Sequence, residues 1–160
     1  MKKLFLIAVL LLVVSALSFA QSSTANVTAN VNATLTIANL TNLAIGNVNQ
    51  GQTVTIASNV AAAASFLITG AANAGTTVTV AFPTDLTFGA NTMTFNGQIP
   101  RYNTVAGPAG STAFGALTGG STNTSGTGNL WVYMGGQVIA TAAQAVGSYS
   151  GIITCSFTQP

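Results

Sequence analysis

From residue 25 to residue 37 the chain alternates without a break: Ala25, Val27, Ala29, Val31, Ala33, Leu35 and Ile37 are apolar, and every residue between them is Asn or Thr. A period of two sends successive side chains to opposite faces, so this stretch predicts a long strand with one apolar face and one neutral polar face. Shorter runs of the same kind predict strands at 43–45, 53–56, 65–69, 76–82, 86–88, 92–95, 130–134, 137–141 and 148–157. No stretch keeps the three-and-four spacing of an amphipathic helix, and Ala61 to Ala64 offers one helical turn at most. Asn73-Ala74-Gly75, Asn96-Gly97, Gly135-Gly136 and Val146-Gly147 supply the residues that tight hairpins with positive φ require. The Gly, Ser and Thr-rich stretch 107–128 has little to pack and predicts a long exposed loop. Many short strands punctuated by turns predict an all-β chain, an immunoglobulin-like β-sandwich or a related barrel.

The N-terminus departs from this pattern. Lys2 and Lys3 precede an unbroken apolar run from Leu4 to Val14, and Ser18 and Ala20 place small residues where a signal peptidase needs them. Residues 1–20 therefore predict a signal peptide cleaved after Ala20, with the apolar run too short for a spanning helix of about 20 residues. The expected organisation is a signal at 1–20, an N-terminal strand or extension at 21–38 and a β-sandwich domain at 39–160. Secretion to the extracellular space or cell surface, by way of the periplasm, follows from the signal, with no integral membrane segment in the mature chain.

Cleavage changes the electrostatics. The full chain has a net charge of +2 from three basic residues and one acidic residue, and removal of Lys2 and Lys3 leaves zero, carried by Arg101 and Asp85. A neutral chain without a basic cluster is not a nucleic-acid binder. Proton transfer and nucleophile activation need titratable groups within reach of one another, and the mature chain has one carboxylate, no His and no Lys. No catalytic, metal-binding or cofactor site is expected, and Asp85 reads as a turn residue after Phe82-Pro83-Thr84. Cys155 is the one cysteine, so an internal disulfide is excluded. It shares a face with Tyr149, Ile153 and Phe157 and reads as a small buried hydrophobe, with a link between chains as the alternative.

The closing segment, Gly128-Asn129-Leu130-Trp131-Val132-Tyr133-Met134-Gly135-Gly136-Gln137-Val138-Ile139 followed by Ala143-Gln144 and Gly147-Ser148-Tyr149-Ser150-Gly151, resembles the secreted bacterial family known as domain of unknown function 4402. Upstream, Leu43-Ala44-Ile45-Gly46, Ala64 to Gly70 and Thr77 to Val80 with Phe82-Pro83 follow the order expected of that family. The resemblance implies a secreted, surface-associated context, an aromatic strand joined to the next through a hairpin at Met134-Gly135-Gly136, and a similarity to fimbrial subunits assembled by a periplasmic chaperone and an outer-membrane usher. Gly147, Tyr149, Gly151, Ile153, Cys155 and Phe157 would form a C-terminal assembly strand of the pilin type. The chain departs from those pilins in having Gln159 where they carry a penultimate aromatic, and in lacking a disulfide.

Two readings of residues 25–37 stand at this point: a strand donated to a neighbouring subunit, as strand addition requires, or an ordinary first strand of the same domain. The functional expectation is a non-catalytic structural subunit of a surface filament, fimbria or coat whose partners are copies of itself. The alternative is a secreted adhesin or carbohydrate-binding module using Trp131, Tyr133 and Tyr102, although the sequence leaves open which face of Leu130 to Met134 is the core. Thr-x-Thr pairs at 34–36, 53–55, 77–79 and 92–94 are irregularly spaced, which argues against a flat repeat array.

Overall fold

The computed structural model describes residues 26, 28 and 33–160; the expected signal peptide and positions Ala25, Val27, Ala29 and Val31 lie outside the described residues. Among the described residues the secondary structure is all strand, with no helix. The strands are β1 (Thr36–Thr41), β2 (Thr53–Ile56), β3 (Ala64–Thr69), β4 (Gly75–Ala81), β5 (Asp85–Phe88), β6 (Asn91–Gly97), β7 (Arg101–Asn103), β8 (Thr112–Ala113), β9 (Gly119–Asn123), β10 (Asn129–Met134), β11 (Gly136–Ile139) and β12 (Thr154–Thr158). They form three antiparallel sheets. The first runs β1-β3-β10-β7-β8, the second β2-β11-β6-β5 and the third β12-β4-β9.

The first and third sheets pack face to face. In β4 the alternation works as written, with Thr76, Val78 and Val80 inside and Thr77 and Thr79 outside. Their inner face meets Ala64 and Ile68 of β3 and Leu130, Val132 and Met134 of β10, with Phe114 closing one side. Cys155 and Phe157 of β12 lie opposite Val80 and Val78 in the ladder and pack against the same cluster. The second sheet builds a separate cluster from Met93 and Phe95 of β6, Val138 of β11 and Ala140.

One continuous stretch joins the two. β10 and β11 do not pair with each other: β10 lies between β3 and β7, and β11 lies between β2 and β6. The expected hairpin at Met134-Gly135-Gly136 is therefore a crossing from one sheet to the next. Gly135 is required there by space, since a Cβ would fall on the Ile56 carbonyl oxygen and come within 2.6 Å of the Ser58 nitrogen. Its buried amide donates to Ser58 Oγ at 2.8 Å, which satisfies a donor that the change of sheet leaves without a ladder partner.

Other expectations are corrected. The N-terminal strand spans Thr36–Thr41, so it includes Ile37 and leaves Ala33 and Leu35 ahead of it. Residues 43–45 form no strand. The stretch 107–128 is not a bare loop, because β8 and β9 fall within it and Ser111, Phe114 and Thr124 are buried. Polar side chains stabilise it in place of apolar ones: Thr124 Oγ1 donates to the Ala71 carbonyl at 2.5 Å and accepts the Ala74 amide at 3.1 Å. Of the expected turns, Asn73 has the positive φ, 53°, whereas Asn96 and Gly97 are extended within β6. The expected strand 148–157 is reduced to β12, with 148–153 making one bridge, Thr87 to Ser150.

Candidate functional site

Two irregular segments cover part of the second sheet's apolar face. On one side lie residues 42–50, the continuation of β1, from which Leu43, Ile45 and Val48 pack over the sheet's apolar cluster. On the other side lie residues 144–153, the approach to β12, from which Tyr149 and Ile153 reach the same cluster. Between them runs an open cleft of about 1260 Å³, floored by Phe66, Leu86, Met93, Phe95 and Val138. That volume exceeds the roughly 300–1,000 Å³ of small-molecule pockets.

Neither wall is a regular strand, since Gly46 turns one of them with a φ of 78° and the other makes a single bridge, Thr87 to Ser150. Ser150 exchanges hydrogen bonds with Thr87 at 2.8 and 3.1 Å on its outer side, and Ala44 donates to the Ala62 carbonyl at 3.4 Å. Among the described residues the amides of Ile45, Asn47, Tyr149 and Gly151 have no backbone partner. Backbone groups in such a position pair with water or with an added strand.

A side-chain network links the walls at one end and braces one of them. Gln50 Nε2 donates to the Gln144 carbonyl at 2.6 Å, bridging the two segments at one end of the cleft. Gln144 Nε2 in turn donates to the Thr92 carbonyl at 2.9 Å and to the Tyr149 hydroxyl at 2.7 Å. The Tyr149 hydroxyl donates to the Ala145 carbonyl at 2.9 Å, and its ring lies 5.8 Å from that of Phe88.

The rim is apolar as well. Val146 is 89% exposed and Ile152 is 81% exposed, the two highest values among the large apolar side chains of the described residues, and both line the cleft. No Lys, Arg, Asp or Glu lines it. Chemically the cleft offers apolar contact and neutral hydrogen bonding, and it has no acid, base or nucleophile other than hydroxyl groups.

Of the C-terminal residues singled out in the sequence, Gly147, Tyr149, Gly151 and Ile153 line the cleft. Cys155 and Phe157 do not; they belong to the other core cluster. Burial pushes the Cys155 thiol up to about 12. Of the N-terminal residues, Ile37 lies in β1 opposite Ile68, and Ala33 and Leu35 are exposed ahead of that strand. Asp85 is exposed at the start of β5 and accepts the Thr84 hydroxyl at 3.3 Å.

The aromatic residues do not share one open platform. Leu130, Val132 and Met134 form the core face of β10. Tyr133 on the opposite face is nevertheless buried, its hydroxyl accepting the Gly107 amide at 2.7 Å. Burial raises its pKa and that hydrogen bond opposes the rise. Tyr102 packs on Phe114 with ring centroids 4.8 Å apart, and Trp131 alone is left half-buried on the outer face.

Sequence reasoning missed the role of Gln144 and the rim position of Val146 and Ile152. The available signal was the pair of large apolar residues set among Gly and Ser in a chain of otherwise polar turns. No family model, no curated protein and no solved structure matches the chain.

Proposed function

We propose that this protein is a non-catalytic structural subunit of a bacterial cell-surface filament, fimbria or coat, secreted through its signal peptide and assembled by β-strand contacts between copies. The fold reading that accompanies it is an immunoglobulin-like, pilin-like sandwich. The observation that carries the proposal is the cleft: an open, uncharged apolar floor flanked by two irregular segments, in which the amides of Ile45, Asn47, Tyr149 and Gly151 have no backbone partner, offers apolar and main-chain contacts to another chain. Near-neutrality supports it. An isolated soluble domain usually carries about a quarter charged residues, and 2% of this chain is charged. Subunits held permanently together need no mutual repulsion, and a Thr and Asn surface tolerates close lateral contact.

Electron microscopy of the purified exported protein and of the cell surface tests this reading, with filaments or a regular coat expected. A pair of substitutions adds register. Val31→Asp places a charge on the apolar face of the alternating segment and abolishes assembly, whereas Asn30→Asp places it on the polar face and leaves assembly intact. A protein that stays monomeric at high concentration and forms no surface structure would end the proposal.

A further inference from the structure

β10 is the middle strand of the first sheet, between β3 and β7. With Leu130, Val132 and Met134 in the core, its outer face carries Asn129, Trp131 and Tyr133. Directly opposed residues of paired strands share a face, so the ladder names the neighbours of each. Trp131 lies between Leu67 of β3 and Asn103 of β7, with Ala38 of β1 beyond Leu67. Asn129 lies opposite Thr69, and Tyr133 lies between Ser65 and Arg101. The one tryptophan of the chain and the one Lys or Arg of the described residues are therefore diagonal neighbours on a single sheet face, set among Asn, Ser and Thr.

The fold leaves reactive edges of both side chains unused. Trp131 belongs to neither core cluster and stacks on no other aromatic ring of the described residues. Its indole N–H has no partner among them, and no buried side-chain nitrogen is left unpaired, so that N–H is open to solvent. Arg101 meets no carboxylate side chain, since Asp85 stands in β5 of the second sheet. Its Nε donates to Ser111 Oγ at 3.0 Å and one Nη donates to the Ser111 carbonyl, which fixes the plane of the guanidinium and leaves the other Nη free to donate.

The surroundings are fixed as well. Gly107 donates its amide to the Tyr133 hydroxyl, Asn103 Nδ2 donates to the carbonyls of Gly107 and Ala109 at 3.1 and 3.4 Å, and Asn103 Oδ1 accepts the Val105 amide at 3.3 Å. These bonds hold residues 105–109 against the Tyr133 side of Trp131, so little has to be ordered when a ligand arrives.

A sugar ring presents an apolar C–H face and a rim of hydroxyl groups, and a uronic or sialic acid adds one carboxylate. An aromatic face suits the first, Asn129 and Thr69 the second, and an unpaired guanidinium the third. We infer that this outer face binds an acidic glycan, with a sugar ring on Trp131 and its carboxylate on Arg101. The site is separate from the cleft, because none of Trp131, Arg101, Asn129 and Asn103 lines it. The inference thus goes beyond the structural-subunit reading and does not depend on it.

Full-length exported protein applied to an immobilised array of uronic-acid and sialic-acid oligosaccharides, each beside its carboxyl-reduced counterpart, tests this. Binding is expected for at least one acidic glycan and is at least about tenfold weaker for its reduced form. Titrated free in solution, that glycan changes the emission of Trp131, the single tryptophan, with saturation. By calorimetry, Trp131→Leu and Arg101→Gln each weaken binding by about tenfold or more, in proteins whose strand content by circular dichroism matches the parent. No binding anywhere on the array by the folded parent would overturn the inference. So would equal binding of the reduced counterpart, or affinity that survives Trp131→Leu, which would put the glycan elsewhere on the molecule.

Discussion

Replacing Gly135 by Ala is the sharpest available test of how the two core clusters are joined. The added methyl group would land on the Ile56 carbonyl oxygen and within 2.7 Å of the Ala57 carbonyl carbon, so every clash is with backbone and no side chain can rotate away. Relief requires β2 or the β10–β11 crossing to shift, which also stretches the buried bond from the Gly135 amide to Ser58 Oγ. Overpacking alone costs about 1–3 kcal/mol, and rigid neighbours put this site near the upper end. Loss of the buried hydrogen bond adds about 1 kcal/mol. Against a total stability of roughly 5–15 kcal/mol, a loss of about 3–4 kcal/mol lowers Tm by about 10–15 °C for a domain of this size. Gly115 is the control, because a Cβ there meets nothing within 4 Å and its φ is not positive. Urea unfolding of both variants reads the difference, with Gly115→Ala within about 0.5 kcal/mol of the parent. A Gly135→Ala protein equally close to the parent would falsify the account of the crossing.

Further outcomes follow from three side chains already described. The Cys155 thiol, raised to about 12 by burial, reacts slowly with iodoacetamide at pH 8 in the folded protein and rapidly in denaturant; equal rates would show that it is open to solvent. Because its folded pKa lies above its ordinary value, the stability it contributes is fully present below about pH 9 and is lost as pH rises from there towards 12, and Cys155→Ser removes that component of the pH profile. Tyr149→Phe removes the donor to the Ala145 carbonyl and the acceptor for Gln144, which costs about 1 kcal/mol and speeds amide exchange at 145–149; unchanged exchange would mean that the hydroxyl does not hold the wall. Asp85→Asn, at an exposed position, leaves stability within about 0.5 kcal/mol and assembly intact, and loss of assembly in a folded protein would assign the carboxylate a role.

The sequence was most legible where alternation and burial coincide. Thr53–Ile56 matches β2 residue for residue, and β3, β4, β5 and β10 differ from expectation by a residue or two at their ends. It was least legible where polar side chains or missing neighbours decide the structure. β8 and β9 were hidden because the packing of 107–128 rests on Thr124, Ser111 and Phe114 rather than on a run of apolar residues. Gly135-Gly136 has the composition of a hairpin, yet the first glycine is there for lack of a side chain and its backbone carries the chain onward into a different sheet. Ser148 to Ile153 has the period of a strand yet makes a single bridge, Thr87 to Ser150, after a bend at Gly147. For the cleft, the residues of one wall could be read from the sequence, but the gap itself is a relation between segments a hundred residues apart.

The outer faces of the sheets are tied together by uncharged ladders: Thr77 Oγ1 lies 3.0 Å from Ser121 Oγ, Thr41 Oγ1 lies 2.7 Å from Ser65 Oγ, and Gln137 Nε2 donates to Thr55 Oγ1 at 2.9 Å. Dissolved ions screen interactions between charges over a Debye length of about 8 Å at physiological ionic strength, and they have almost nothing here to screen. The described surface carries one carboxylate, one guanidinium and no imidazole. Charge–charge attraction therefore contributes almost nothing to the cohesion of this domain, so that moderate changes in ionic strength leave these uncharged fastenings as they were.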